Sequence, residues 1–211
     1  MPGETGETMK LVVTDLAADR GSGPIFEAIT FALQDGEGLL VTGPNGAGKS
    51  TLIRAIAGLL RPSAGTAEIE GATEDWPDVP SASHYLGPIN AMKPALTVFE
   101  NLSFWQTFCG RPALGVDEAL ERIGLEHTRD LPFSYLSTGQ RRRVSIAKLL
   151  ISHRPVWLLD EPTSGLDAAS ELHFAELVRE HMETGGIVAA ATHLPIRVEG
   201  MKELKFGGVA A

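Results

Sequence analysis

Cysteine is nearly missing from this 211-residue sequence. Cys109 stands alone, which excludes a disulfide framework and fits a reducing compartment. Positive charge is also short, with 18 Lys and Arg against 27 Asp and Glu and a net charge of −9. That balance argues against nucleic acid as the main partner, because a phosphate backbone calls for the opposite sign. No apolar run approaches the roughly 18 residues needed to span a bilayer. The chain is therefore expected to be soluble, with any membrane role coming through a partner. Internal repeats, coiled-coil insertions and low-complexity segments are likewise missing. The opening Met1-Pro2-Gly3-Glu4-Thr5 is acidic and polar, unlike a secretory signal. Residues 1–8 are expected to form a disordered leader, with Met9 offering an alternative start. The hydrophobic share of 43% suffices for one sizeable core, or one core with an added lobe.

Glycine, in contrast, is concentrated in one informative place. GPNGAGKST, residues 43–51, contains the pattern G-x-x-x-x-G-K-[ST], with Gly43, Gly48, Lys49 and Ser50 at the fixed positions. A triphosphate needs several backbone N–H groups aimed at it, which demands a loop free of obstructing Cβ atoms. Gly43, Gly46 and Gly48 give that freedom. Lys49 then opens a helix whose N-terminal dipole favours negative charge. Its ammonium is expected on the β/γ-phosphates, and the Ser50 hydroxyl on Mg²⁺. The flanks agree: residues 38–42 read as a buried strand and 50–60 as a helix ending before Arg61-Pro62.

Two further segments supply hydrolytic chemistry. Val156-Trp157-Leu158-Leu159 is an apolar strand closing on Asp160 and Glu161. An acid at a strand's carboxyl end lies where an α/β sheet presents ligands. Asp160 is expected to hold Mg²⁺ opposite Ser50, and Glu161 to act as the base that orients the attacking water. The run 186–192 is another buried strand, ending in His193, whose imidazole is placed to meet the γ-phosphate or that water. The coarse pattern adds strands at 10–14 and 66–70 and a helix at 168–183, giving a parallel α/β core. Between them, residues 88–152 turn helical. Thr97 and Glu100 form a capping box that opens a helix through Phe108. Its apolar face, with Leu102, Trp105 and Cys109 beside Phe104 and Phe108, is expected to be mostly core, the alternative being a docking surface for a membrane subunit.

Leu136-Ser137-Thr138-Gly139-Gln140 heads a basic amphipathic helix, and a short polar turn at a helix N-terminus is a second anion site. At these residues the chain resembles the ATP-binding-cassette (ABC) ATPases, whose signature is usually LSGGQ. The resemblance covers about residues 9–207, with Ser164-Gly165-Leu166-Asp167 matching the D-loop and Thr192-His193 the switch histidine. It implies a P-loop NTPase fold of α/β class, with a RecA-like parallel sheet core, an N-terminal antiparallel β region and an inserted helical subdomain. The single domain would span 9–211, as a core lobe of 9–87 and 153–211 and a helical lobe of 88–152. It further implies a head-to-tail homodimer with two ATP molecules at the interface. Each would lie between one subunit's Gly43, Pro44, Asn45, Gly46, Ala47, Gly48, Lys49, Ser50, Thr51, Asp160 and Glu161 and the other's Ser137, Gly139 and Gln140. Arg141-Arg142-Arg143 reads as a solvated face of the signature helix rather than a nucleic-acid patch.

Within the family, His84-Tyr85-Leu86-Gly87, the run 93–102, Trp157-Leu158-Leu159-Asp160-Glu161 and Ala191-Thr192-His193-Leu194-Pro195 are similar to the ATPases of cytochrome c maturation, the haem-exporter subunits. That resemblance implies a peripheral protein on the cytoplasmic face of the inner membrane. There it would work with integral membrane subunits that deliver haem to a periplasmic chaperone. No direct haem binding is expected, since C-x-x-C-H is missing. The alternatives are the ATPase of another transporter and a soluble ATPase of iron–sulfur assembly. Two positions depart from the ABC pattern. An aromatic residue usually stacks on adenine near position 20, where Arg20 stands and offers its guanidinium plane instead. Pro88 occupies the place of a glutamine that senses Mg²⁺ and water, leaving Asn90 as the nearby substitute.

Overall fold

The computed structural model describes residues 8–19, 21, 23–193 and 196–206. Arg20 and all but Thr8 of the expected leader lie outside the described residues. The chain runs β1 (Lys10–Asp19), β2 (Pro24–Gln34), β3 (Gly38–Thr42), α1 (Lys49–Ile56), β4 (Ala64–Glu70), α2 (Val79–Ala82) and β5 (Ser83–Leu86). It continues with α3 (Val98–Cys109), α4 (Val116–Arg122), α5 (Thr138–Ile151), β6 (Val156–Asp160), α6 (Ala168–Glu183), β7 (Ile187–Ala191) and β8 (Lys202–Lys205).

Two sheets result. The first is antiparallel, in the order β2-β1-β4; the second has five strands in the order β5-β6-β7-β3-β8. Every pair in the second sheet is parallel. Parallel strands are covered on both faces and read as continuous apolar runs, which is why β6 and β7 are buried at every residue. Side chains alternate across such a strand. Val156 and Leu158 of β6, with Ile187, Ala189 and Ala191 of β7, join one core with α1 and the antiparallel sheet. Trp157 and Leu159, with Val188 and Ala190, join the other core, shared with α3, α4, α5 and α6. The expected α/β architecture, with its antiparallel region and helical insertion, is therefore present.

Several boundaries differ from the sequence reading. Strand β1 runs past residue 14 because Asp15, at φ 48°, forms a bulge and not a break. Its N–H donates to Thr30 Oγ1 at 2.8 Å, and pairing resumes at Leu16. Helix α1 stops at Ile56, four residues short of Leu60. Gly58 turns left-handed at φ 70°, and the N–H groups of Leu59 and Leu60 return to the Arg54 carbonyl at 2.9 and 3.1 Å. The Thr97–Glu100 capping box forms as expected. The core assignment for α3 does not hold for most of its face. Leu102 is buried, but Phe104 and Phe108 are 56% and 71% exposed and stack on each other, while Trp105 and Cys109 are half-buried. Apolar composition marked the face, but the helix buries only the strip carrying Val98, Asn101 and Leu102.

Candidate functional site

Strands β6, β7 and β3 are neighbours, and their carboxyl ends carry residues 160–161, 192–193 and 43–51. Motifs far apart in sequence therefore meet along one edge, where parallel sheets bind ligands. Two hydrogen bonds fasten that edge. Glu161 N–H donates to Ala191 O at 2.8 Å, and Thr192 N–H to Val41 O at 3.2 Å.

The loop after β3 needs glycine for two distinct reasons. Gly43 sits at φ 143°, and a Cβ there would fall 1.7 Å from the Phe206 carbonyl oxygen. Gly48, at φ 105°, caps α1, and a Cβ would meet Ile25 Cγ2 at 2.6 Å. Lys49 is only 6% exposed and folds back inside the loop, donating through Nζ to Gly43 O at 2.8 Å and Pro44 O at 2.9 Å. Among the described residues, the N–H groups of Lys49, Ser50 and Thr51 have no backbone acceptor. They are the unpaired donors of a helix start, and α1 has no side-chain cap to satisfy them. Three free N–H groups, a buried ammonium and a helix dipole make an anion cradle.

Ser50 Oγ donates to Asp160 Oδ1 at 2.7 Å, and Tyr85 Oη lies 3.4 Å from Oδ2. Burial pushes the Asp160 carboxyl above the usual range, and the Glu161 carboxylate adds to this, against the hydrogen bond from Ser50. The same burial, with Asp160 nearby, pushes Tyr85 up to about 12. Asp160 is thus a buried carboxyl beside a second carboxylate, with the Arg142 guanidinium acting against the shift. It and Ser50 offer the hard oxygen donors that suit Mg²⁺. No cluster of three His, Cys, Asp or Glu among the described residues could enclose a metal alone. A cation here would complete its shell with phosphate and water.

Glu161 follows directly, at φ 48°. Its carboxylate accepts from His193 Nδ1 at 2.7 Å and, more weakly, from the His193 N–H at 3.4 Å. The sequence-predicted acid and histidine are therefore in contact. The signature turn lies at the start of α5. Ser137 Oγ accepts from Gln140 N–H at 3.2 Å, and Gln140 Oε1 accepts from Ser137 N–H at 2.9 Å. Gln140 thus closes a capping box. Among the described residues the N–H groups of Thr138 and Gly139 have no backbone acceptor, so an anion site is left here too. A Cβ at Gly139 would stand 3.3 Å from Gly165 O, which places the signature turn against the loop before α6. Asp167 of that loop caps α6 through Ser170 N–H at 2.8 Å. No described hydrogen bond joins Ser137, Gly139 or Gln140 to residues 43–51. Asn90 Oδ1 accepts from Ser145 Oγ at 2.9 Å, so it faces α5.

The basic triplet is the clear miss. Arg142 is not solvated: it is 4% exposed, and its guanidinium donates to the carbonyls of Gly87, Pro162 and Glu161 at 2.6 to 2.8 Å. The available signal was periodic. Arg142 falls on the face that also carries Ser145, Ile146 and Leu149, all buried.

The sequence matches the ABC transporter family over residues 26–164. It is 57% identical to the "cytochrome c biogenesis ATP-binding export protein CcmA" of Chelativorans sp., across 94% of this chain and 98% of that protein. The protein of the same description from Brucella abortus is 56% identical over 91% and 89%. Among solved structures, an ATP-binding protein of a putative ABC transporter from Pyrococcus furiosus superposes with a TM-score of 0.79 at 22% identity. It covers 93% of this chain and 97% of that one, and bears on the fold alone.

Proposed function

This chain belongs to the ABC transporter family of ATPases, and we propose that it is the ATP-hydrolysing subunit of an export complex for cytochrome c biogenesis. The observation that carries the chemistry is the pairing of Ser50 Oγ with Asp160 Oδ1 at 2.7 Å, between the phosphate loop and the acid Glu161. The family pairing with CcmA proteins carries the biology. The exported or delivered group is taken to be haem, passed on to a periplasmic chaperone.

Residues 43–51 hold the triphosphate, with Lys49 and the free N–H groups of the first helical turn countering its charge. Ser50 and Asp160 would hold Mg²⁺, which would supply positive charge to offset that of the phosphates. Glu161 accepts the proton of the attacking water, and His193 keeps its carboxylate in place. Ser137, Gly139 and Gln140 serve the partner subunit's nucleotide in a head-to-tail homodimer. The separation of the signature turn from this chain's own phosphate loop supports that arrangement, since one chain carries one copy of each half-site. No helix among the described residues is long and apolar enough to cross a membrane. Attachment to the cytoplasmic face of the inner membrane therefore runs through integral membrane subunits.

The deciding experiment is a haem stain for covalent c-type cytochromes in a strain lacking this chain, rescued in parallel by wild type and by Glu161→Gln. Staining restored only by wild type supports an ATP-driven step in cytochrome c maturation. Normal staining in the deletion strain, with no second copy of the gene, rejects it.

A further inference from the structure

Arg142 is buried without a carboxylate partner among its described hydrogen bonds. Nε donates to Pro162 O at 2.8 Å, Nη1 to Gly87 O at 2.6 Å, and Nη2 to Glu161 O at 2.7 Å and Asp160 O at 3.4 Å. Taking a cation out of water is costly, and simple packing would be better served by an apolar side chain of similar length. The four carbonyls explain the choice. Three belong to consecutive residues at the end of β6, and the fourth precedes Pro88 on the segment after β5.

The middle of the three is Glu161, whose φ of 48° is left-handed. For a residue with a side chain that conformation is strained, and it persists where the surroundings overdetermine it. Here they do so from three directions. The Glu161 N–H is held by Ala191 O, its carboxylate by His193, and its carbonyl by Arg142 at 2.7 Å and, within the turn itself, by the Ser164 N–H at 3.2 Å. The contacts to the N–H and the carboxylate come from β7 and the residues after it. The Arg142 contact comes from α5, the helix that begins at the signature turn.

We propose that Arg142 is a positioning residue for hydrolysis. It holds the left-handed turn at Asp160–Pro162 that aims the Glu161 carboxylate, and it ties that turn to Gly87 and the signature helix. A movement of the helical lobe is thereby transmitted to the catalytic acid through main-chain oxygens. At Pro88, where no side-chain donor or acceptor exists, the carbonyl of Gly87 takes the connection instead. A planar fork of five N–H donors meets these four carbonyls in fixed directions from three nitrogens, which a lysine ammonium, a single point with three donors, does not match. The inference rests on Glu161 being the base.

The test is a double-mutant cycle on the full-length chain, measuring ATP turnover, ATP affinity and thermal melting. Arg142→Lys and Arg142→Gln are expected to lower kcat about 10- to 100-fold, with ATP affinity within about twofold of wild type. In a Glu161→Gln background the same changes should alter residual turnover less than about twofold, because no base remains to be aimed. A purely structural arginine would lower melting temperature, affinity and kcat together, whatever residue occupies position 161. If Arg142→Gln does not fold, Arg142→Lys carries the comparison alone. Wild-type kcat in Arg142→Lys, or an equal loss in both backgrounds, overturns the proposal. Wild-type turnover in Glu161→Gln removes the base and this inference with it. An inactive Glu161→Gln beside a fully active Arg142→Lys removes the inference only.

Discussion

His193 Nδ1 stands 2.7 Å from Glu161 Oε2, so a residue following β7 fixes the carboxylate that follows β6. The two strands are hydrogen-bonded neighbours, so the residues just beyond their ends meet without an intervening element. Sheet register thus brings the acid and the histidine together.

Glu161→Gln is expected to keep ATP binding and lose turnover by about 10²–10⁴-fold, since the amide preserves shape but not basicity. The species expected to accumulate under the proposed arrangement is an ATP-bound dimer, which gel filtration with ATP would reveal. Elution only as monomer under those conditions counts against the sandwich arrangement.

Lys49→Ala has a different signature. It removes a buried ammonium that holds the carbonyls of Gly43 and Pro44, so the loop loosens and nucleotide affinity falls. Equilibrium titration with ATP measures this, and an unchanged Kd contradicts it.

Gly43→Ala is expected to destabilise the fold by about 3 kcal/mol or more, because a Cβ meets the Phe206 carbonyl and the residue sits at φ 143°. Gly46→Ala meets no neighbouring atom and suffers only its φ of 81°. Urea unfolding of the two variants should rank them in that order; equal losses would show that the Phe206 contact is unimportant.

Acid sensitivity follows from two buried histidines. Burial pushes His84 and His181 down to about 4, whereas in the unfolded chain each titrates near its ordinary 6.5. Between those values the unfolded chain takes up protons that the folded one refuses. Stability from this source is full above about 6.5 and declines as pH falls toward about 4. Asp160 has the opposite sign: its raised value favours the fold at low pH and is lost as pH rises through the carboxylate range. The urea midpoint should therefore drop between pH 7.5 and 5, and His84→Gln should flatten the drop. Parallel curves for the two proteins would exclude His84 as a source.

Much of this site was legible in the sequence because its chemistry is carried by short runs whose spacing the backbone dictates. The phosphate loop, Asp160-Glu161 and His193 all follow strands with unbroken apolar runs, and such strands announce their ends. Strand β2 was harder, since only Phe26 and Leu33 of its eleven residues are buried, and the alternation of Ile29, Phe31 and Leu33 marks a face that is mostly half-covered. Strand β5, at four residues, is too short to register. Arg142 escaped because a triplet of like charges reads as surface, while its burial depends on carbonyls from residues 87 and 160–162 that only the tertiary fold assembles.

Strand β3, which launches the phosphate loop, is flanked by β7 and β8, both made about 150 residues later in the chain. Phe206 then closes over the loop's first glycine, its N–H donating to Thr42 O at 2.6 Å. A nascent chain emerging from the ribosome consequently carries the nucleotide motif long before it can give it shape. The loop therefore takes its shape only after β7, β8 and Phe206 have been made, and a polypeptide cut short before them lacks the neighbours that hold it.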